Sequence, residues 1–585
     1  MKKSLCWLVL VCLLASALPA LGEGAGGHAI ETRTMNFYYD DPDTTMPVEV
    51  CFIDGSDVPY LALSDWPAVI CGPWGDNAEG VVIPAFSMAG SVGTLTREDG
   101  YYVEFDCDAD TVHFLDYDAF MRNNGDAFMM DMIDDMNTGS EDGSVRYYAR
   151  ANAVSYERYG REMTIDAGDY GIDFIARDGE CYVPMQTLSD LLMSYSYNNN
   201  IFYNGEIAFV GGTEAFQDED GDLTPMGEMF YSVQPHDRSE SMANYTYNEL
   251  CLALDTLYGL KDNHFITSFR DLAEETGLVK GLTSTDPVEA DGALYQLLNL
   301  HLDDIHTHML TSSPASGYDA FALFGDKYGK GQSRMFRDSH IMMYLDARDA
   351  ARPDGIPAYE EVGNTAYITF DEFDARPDSV DYYKNPPKVK TAEDLNSLDT
   401  VGLMIYAYKQ ITRKHSPIEN VVMDLSNNRG GDSQAAVYTI AAFLGVCTIS
   451  ARNTCSGALV TGNYMIDINL DGKVDEDDLL LTHKRLFCLE SCSSFSCGNL
   501  VPCAFKESNV VTMLGRTSGG GACVVQPLCT ADGSGFWLSG PIQLSFLKNG
   551  AFYDIDRGAE PDFPLTRPAS FYDREALTAF IDGIR

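Results

Sequence analysis

Three stretches in the C-terminal half hold residue types that could break an acyl bond. Arg485-Leu486-Phe487-Cys488-Leu489-Glu490-Ser491 reads as a strand, Cys492 to Phe495 as a turn, and Cys497 to about Lys506 as a helix, which leaves Ser496 at the helix start. A serine there exposes its Oγ, and the following amide and the helix dipole favour a developing oxyanion. The same position suits an ordinary N-cap, the commoner use of serine at a helix start. In the second stretch an apolar strand, Val421 to Leu425, ends in the polar turn Ser426-Asn427-Asn428-Arg429-Gly430-Gly431, and a helix begins near Ser433. Glycines at such a turn let backbone N–H groups face a cleft. The third is Gly515-Arg516-Thr517-Ser518-Gly519-Gly520-Gly521, followed at a distance by Asp554-Ile555-Asp556-Arg557-Gly558-Ala559-Glu560-Pro561-Asp562.

In order and spacing these pieces resemble the C-terminal-processing, or tail-specific, serine peptidase family. Its hallmarks are a D-L-R-x-N-x-G-G turn, a serine at a strand-to-helix junction, a G-x-x-T-x-G loop and a terminal G-x-x-P-D. The match runs from about Gly363 to Pro564, with Ser426 where the family has Arg and a loop one residue shorter before its Thr. The resemblance implies an α/β, ClpP/crotonase-like catalytic core with Ser496 as nucleophile. A bacterial-type Ser-Lys dyad is not implied, because Gly520 stands where the lysine belongs, and Lys506 on the following helix would point away. The tricorn-like branch takes a histidine from L-x-D-x-H-T, and this chain reads Leu302-Asp303-Asp304-Ile305-His306-Thr307. His306 is therefore the expected general base, taking the Ser496 proton and returning it to the leaving amine.

That branch orients its histidine with a second serine and a glutamate. Ile305 replaces the serine, and Asp554 and Asp556 stand where the glutamate is expected, Asp556 being the choice. The oxyanion hole is expected from the backbone N–H groups of Gly430 or Gly431 and of Cys497. Cys497 is a rival nucleophile, but in an oxidising compartment it reads as a small buried residue or half of a disulfide. Between Met309 and Gly363 no carboxylate-binding G-L-G-F loop occurs, so no PDZ module is expected. A second reading is a catalytically inactive homologue that binds peptides or cell-wall material.

Asp467-Ile468-Asn469-Leu470-Asp471-Gly472-Lys473-Val474-Asp475-Glu476-Asp477-Asp478 has the spacing of an EF-hand-type calcium loop. Oxygen ligands would come from Asp467, Asn469, Asp471, the Lys473 carbonyl and Asp478, with Gly472 at the sharp turn. The loop resembles a single dockerin repeat, and Leu479 to Leu486, with Lys484-Arg485, would be its following helix. With one repeat in place of two, a cohesin partner is not expected. Calcium is the one cofactor anticipated, in a structural role.

These pieces need elements to position them. From Gly363 onward apolar strands alternate with helices, the α/β pattern. From about Ser241 to Met309 the apolar spacing is helical, as in Leu250, Leu254 and Leu257, then Leu294, Leu297 and Leu298. Before that the chain is rich in Tyr, Val, Asp and Gly with short alternating runs, so an α+β, β-rich region is expected. Within it Gly179 to Leu192 resembles the stalk module of copper amine oxidases, where a strand leads through Val-Pro into a helix, and Val58 to Asp65 reads as a second copy; copper is not carried over. The expected organisation is a signal peptide over 1–22, the β-rich region over 23–235, a helical subdomain over 236–315 and the catalytic domain over 316–585, with the calcium loop inserted near 460–486.

Met1-Lys2-Lys3, the apolar run Leu5 to Leu18 and Pro19-Ala20-Leu21-Gly22 read as a secretory leader, which implies a secreted protein without a membrane span. The net charge of −49 argues against nucleic acid and anionic membrane as partners, and the family resemblance implies a polypeptide substrate. Eight cysteines fall between Cys447 and Cys529, which in an exported protein suggests disulfides.

Overall fold

Strands with branched apolar residues on both faces must be covered on both faces, and the run Asn420–Asp424 illustrates this in the computed structural model. Val421 and Met423 enter a core with the helices Thr400–Thr412, Ser433–Leu444 and Cys497–Ser508. Val422 points the other way, against Tyr344, Phe571 and Leu577. The structure describes residues 28–584 apart from 40, 78–80, 123–135, 139–145, 159, 195–198, 219–220 and 377–379. The leader-like stretch lies outside the described residues.

The strand belongs to a six-stranded sheet in chain order: Tyr359–Val362, Thr365–Thr369, Asn420–Asp424, Arg485–Glu490, Val511–Gly515 and Phe563–Pro564. Only the first pair is antiparallel; every later pair is parallel. Helices cover both faces, so this α/β core matches the expectation from sequence. The helix Gln332–Ala351 sends Tyr344 into the second face, beside Phe571 of the helix Ala569–Tyr572.

The N-terminal region forms two sheets around one core. One is a five-stranded antiparallel meander from Ala85 to Asp166. In the other, seven-stranded sheet the two stalk-like segments meet: strand Pro59–Ala62 pairs antiparallel with strand Glu180–Pro184, Leu61 opposite Val183. Each runs from an Asp-Gly turn with positive φ (Asp54-Gly55 and Asp178-Gly179) through a strand into a helical turn.

A third sheet crosses the expected boundaries. Strand Arg146–Arg158, from the N-terminal region, pairs with Leu459–Ile466, and His308–Met309, from the helical segment, pairs with Gly535–Ser545. Leu254, Leu257 and Leu298 of the helical segment share a core with Leu528, Phe536 and Leu538. The boundaries at 235 and 315 therefore do not separate independent cores: the sheet runs across both, the N-terminal core takes in Met242 and Tyr245, and the helical segment shares its core with Leu528, Phe536 and Leu538.

Two local expectations are corrected. The segment after the acidic loop is a 3-10 helix, Glu476–His483, opened by a capping box between Asp475 and Asp478. It stops there because Arg485 must pair with Asn420 in the central sheet, so Lys484-Arg485 cannot be helical. The crowded cysteines from Cys447 to Cys529 are all free thiols; Cys107 and Cys181 bring their sulfurs to 3.2 Å between the two N-terminal sheets, and Cys455 lies 3.4 Å from the Met163 sulfur.

Candidate active site

Ser496 stands between the strand Arg485–Glu490 and the helix Cys497–Ser508, as expected, but it does not cap that helix. Its backbone is at φ 58°, ψ −126°, and its side chain makes no capping hydrogen bond. A non-glycine residue at positive φ is costly and persists only where its surroundings impose it. The impositions can be named. Its N–H donates to the Gly520 carbonyl (2.9 Å), Phe495 N–H donates to the Asn428 carbonyl (3.1 Å), and Gly519 N–H donates to the Ser494 carbonyl (2.6 Å). Two hydroxyls lace the nucleophile turn to the glycine turn: Ser491 Oγ donates to the Ser426 carbonyl and Ser494 Oγ to the Leu425 carbonyl. The serines before Ser496 gave no signal in sequence, yet they hold its geometry.

Glycine is required where the two turns touch. A Cβ on Gly430, at φ 107°, would lie 2.6 Å from the Ser496 Cβ, and one on Gly521, at φ 95°, would lie 2.8 Å from the Ser496 nitrogen. The third motif is tied to the fourth by Ser518, whose Oγ accepts from Ala559 N–H (2.7 Å) and donates to Asn499 Oδ1 (2.7 Å). All four motifs thus converge on Ser496.

The expected oxyanion donors divide. The Gly430 N–H is spent on Asn428 Oδ1 at 2.9 Å, which corrects its assignment as a free donor. The Gly431 and Cys497 N–H groups have no partner among the described residues. The Cys497 thiol is buried and pushed up to about 12 by that burial, so it is no ready nucleophile. Lys506 is ion-paired with Asp562 at the surface, away from Ser496.

His306 arrives on a tight turn after the helical segment. Asp303 (φ 46°) and Ile305 (φ 75°) are both left-handed, a strained setting for β-branched Ile305. Asp304 pins the turn: Oδ1 accepts from Thr307 N–H (2.6 Å), and Oδ2 accepts from Thr307 Oγ1 (2.8 Å) and Tyr258 OH (2.7 Å). The His306 ring lies 4.6 Å, centroid to centroid, from the ring of Phe495, the residue before Ser496. Among the described residues its ring nitrogens make no hydrogen bond, to Ser496 or to another group. Burial pushes it down to about 4, Asp304 pulling the other way and Arg337 adding to the fall.

Asp556 does not orient His306. Its Oδ1 accepts the Gly521 and Ala522 N–H groups at 2.9 Å each, which fixes the glycine loop under Ser496. Its other oxygen is buried without a partner, and burial raises its carboxyl. The carboxylate whose charge reaches His306 is Asp304, a member of the L-x-D-x-H-T stretch to which sequence reasoning gave no role.

In the acidic loop, Asp467 Oδ2 accepts from Gly472 N–H (2.7 Å) and Tyr383 OH (2.8 Å), and Asp478 accepts from Asn469 and Asp475 N–H. Asn469 Oδ1 accepts from Asp471 N–H, and Asp471 Oδ1 from Lys473 N–H. The donor set is all oxygen, the chemistry calcium takes. Among the described residues no three His, Cys, Asp or Glu are gathered into a metal cluster.

Residues 364–565 match the model of peptidase family S41, which supports a serine peptidase with an α/β core. No curated protein matches the chain. Among solved structures, the photosystem II D1 C-terminal processing protease is similar at 16% identity and a TM-score of 0.25, over 36% of this chain and 47% of that one. The chain therefore spans about half the length of that protease. A lipoprotein from Streptococcus agalactiae is similar at 14% identity and a TM-score of 0.32, over 60% and 99%. The tricorn protease is similar at 12% identity and a TM-score of 0.28, over 86% and 46%. None of these three likenesses carries a conclusion about activity. Among the described residues no helix is long and apolar enough to cross a membrane.

Proposed function

We propose that the protein is an exported serine peptidase that hydrolyses polypeptides. One observation carries the reading: Ser496 is held at positive φ and, among the described residues, its hydroxyl is free and two amides beside it are unpaired, where a capping serine would have neither feature. In this reading Ser496 Oγ attacks the scissile carbonyl, and the neutral His306 imidazole takes its proton and passes it to the leaving amine. The Gly431 and Cys497 N–H groups stabilise the tetrahedral oxyanion. Water, deprotonated by the same imidazole, then cleaves the acyl-serine. Asp304 positions the His306 turn, and Asp556 positions the glycine loop.

The test is labelling of the purified chain by a fluorophosphonate. Wild type is expected to label, Ser496→Ala not at all, and His306→Ala at least about a hundredfold more slowly, the usual worth of a general base. Equal labelling of all three would sink the reading. The absence of a Ser496–His306 hydrogen bond favours a second one, an inactive homologue that binds peptides, and a wild type that never labels would select it.

The acidic loop is proposed to hold a structural calcium through Asp467, Asn469, Asp471, the Lys473 carbonyl and Asp478. The ion would supply rigidity to the segment that feeds the nucleophile strand, with no part in the chemistry.

A further inference from the structure

The helix Gln332–Ala351 is anchored at its start by His306's own turn, since Asp303 accepts the Ser333 N–H (2.6 Å). This brings Arg337 over the site. Its guanidinium carbon lies 4.7 Å above the ring of Phe495, the same ring that His306 touches and the residue next to Ser496. Among the described residues the Arg337 guanidinium has no hydrogen bond and no ion pair, and its Nε is buried without a partner. Arg334 and Arg429 face it: Arg334 gives a hydrogen bond to the Ile305 carbonyl (2.6 Å), and Arg429 is exposed on the turn before Gly430-Gly431.

Several buried or half-buried arginines of the chain have what Arg337 lacks. Arg238, Arg348 and Arg574 are each paired with a carboxylate, Asp532, Asp371 and Asp424 respectively. A charge lifted from water without a partner is costly. In a chain of net charge −49, three arginines meet beside the nucleophile, and the acid whose charge acts on Arg337 is its own neighbour Asp338, with which it forms no ion pair. Burial and the two other arginines push Arg337 down to about 10, the mark of a cation lacking its anion.

We infer that Arg337, supported by Arg334 and Arg429, is a specificity-determining residue that receives a carboxylate of the substrate beside Ser496. The inference rests on the peptidase reading above. A planar guanidinium takes a carboxylate with two parallel hydrogen bonds. The carboxylate is an Asp or Glu side chain of the substrate close to the cut.

The test digests a mixed peptide library with the full chain, reads the cut sites by mass spectrometry, and repeats the digestion with Arg337→Gln and Arg337→Lys. Matched peptides then follow, Glu against Gln at the selected position and free against amidated C-terminus. Wild type is expected to prefer the Glu peptide over its Gln match by about tenfold or more in kcat/KM, the usual worth of a charge-assisted hydrogen bond. Arg337→Gln should bring that ratio near one, and Arg337→Lys should keep part of it; thermal melts of both variants check the fold. A ratio near one in wild type, or a ratio untouched in folded Arg337→Gln, overturns the inference. A preference carried by the free C-terminus alone, with Glu and Gln peptides cut alike, also overturns it. If wild type neither labels nor cuts, the peptidase reading fails by itself. Calorimetric titration of the same peptide pairs onto wild type and Arg337→Gln then decides the carboxylate subsite by the same ratios.

Discussion

At the scale of the residue, the environment of His306 sets a pH dependence. Burial penalises the imidazolium, so the ring remains a neutral base down to about pH 4. The acid limb of kcat/KM is expected near pH 4, and a limb near the ordinary histidine value of 6.5 would show that another group is the base. The same shift weakens the fold in acid. Between pH 6.5 and 4 the unfolded imidazole takes a proton that the folded one refuses, so stability falls as the pH drops through that window, by up to about 3 kcal/mol. Ser496 and His306 were legible as candidates because their types and motifs are specific. Asp304 and Asn428 were legible as members of those motifs but not in their roles, and Arg337 was not legible at all, since a helical arginine carries no signal until the chain brings it to the ring that His306 touches.

At the scale of the element, the acidic loop offers the cleanest measurement. Asp467 and Asp478 are 2% and 3% exposed, and burial raises both carboxyls, Asp478 to about 6. A cation bound to the folded loop alone would offset that cost, by about 2.7 kcal/mol at a hundredfold excess over its Kd. Calcium is expected to raise the melting temperature and a chelator to lower it, with Asp467→Asn abolishing the response; a melt indifferent to both would remove calcium from the account. The strands were legible here because a run such as Val421-Val422-Met423 is apolar on both faces. The helix expected over Leu479 to Leu486 was not legible, because its end is decided by the pairing of Arg485 with Asn420, some sixty residues away in sequence.

At the scale of the whole molecule, the cores are shared. A chain cut to residues 316–585 would lose the strand that pairs with Leu459–Ile466 and the one that pairs with Gly535–Ser545. It would also uncover Leu528, Phe536 and Leu538, at about 1.5–3 kcal/mol each. That sum rivals the roughly 5–15 kcal/mol by which domains are stable. Such a fragment is expected to lack a cooperative thermal transition, and a sharp melt matching the full chain would refute the sharing. By itself the sequence determined the α/β alternation, the place of Ser496 at a strand-to-helix junction and the helical run leading to His306, because these follow from local periodicity and from motifs a few residues long. Only the tertiary structure decided that Ser496 sits at positive φ and caps nothing, that Gly430's amide is already spent, that Asp556 holds a loop and Asp304 the histidine turn, and that Arg337 lies unpaired over Phe495. The Ser496 backbone, the Asp556 loop and the place of Arg337 depend on contacts between segments tens to hundreds of residues apart, and no local pattern encodes which of them will meet; the bonds from Gly430 to Asn428 and from Thr307 to Asp304 are local, but residue type alone does not say that they form.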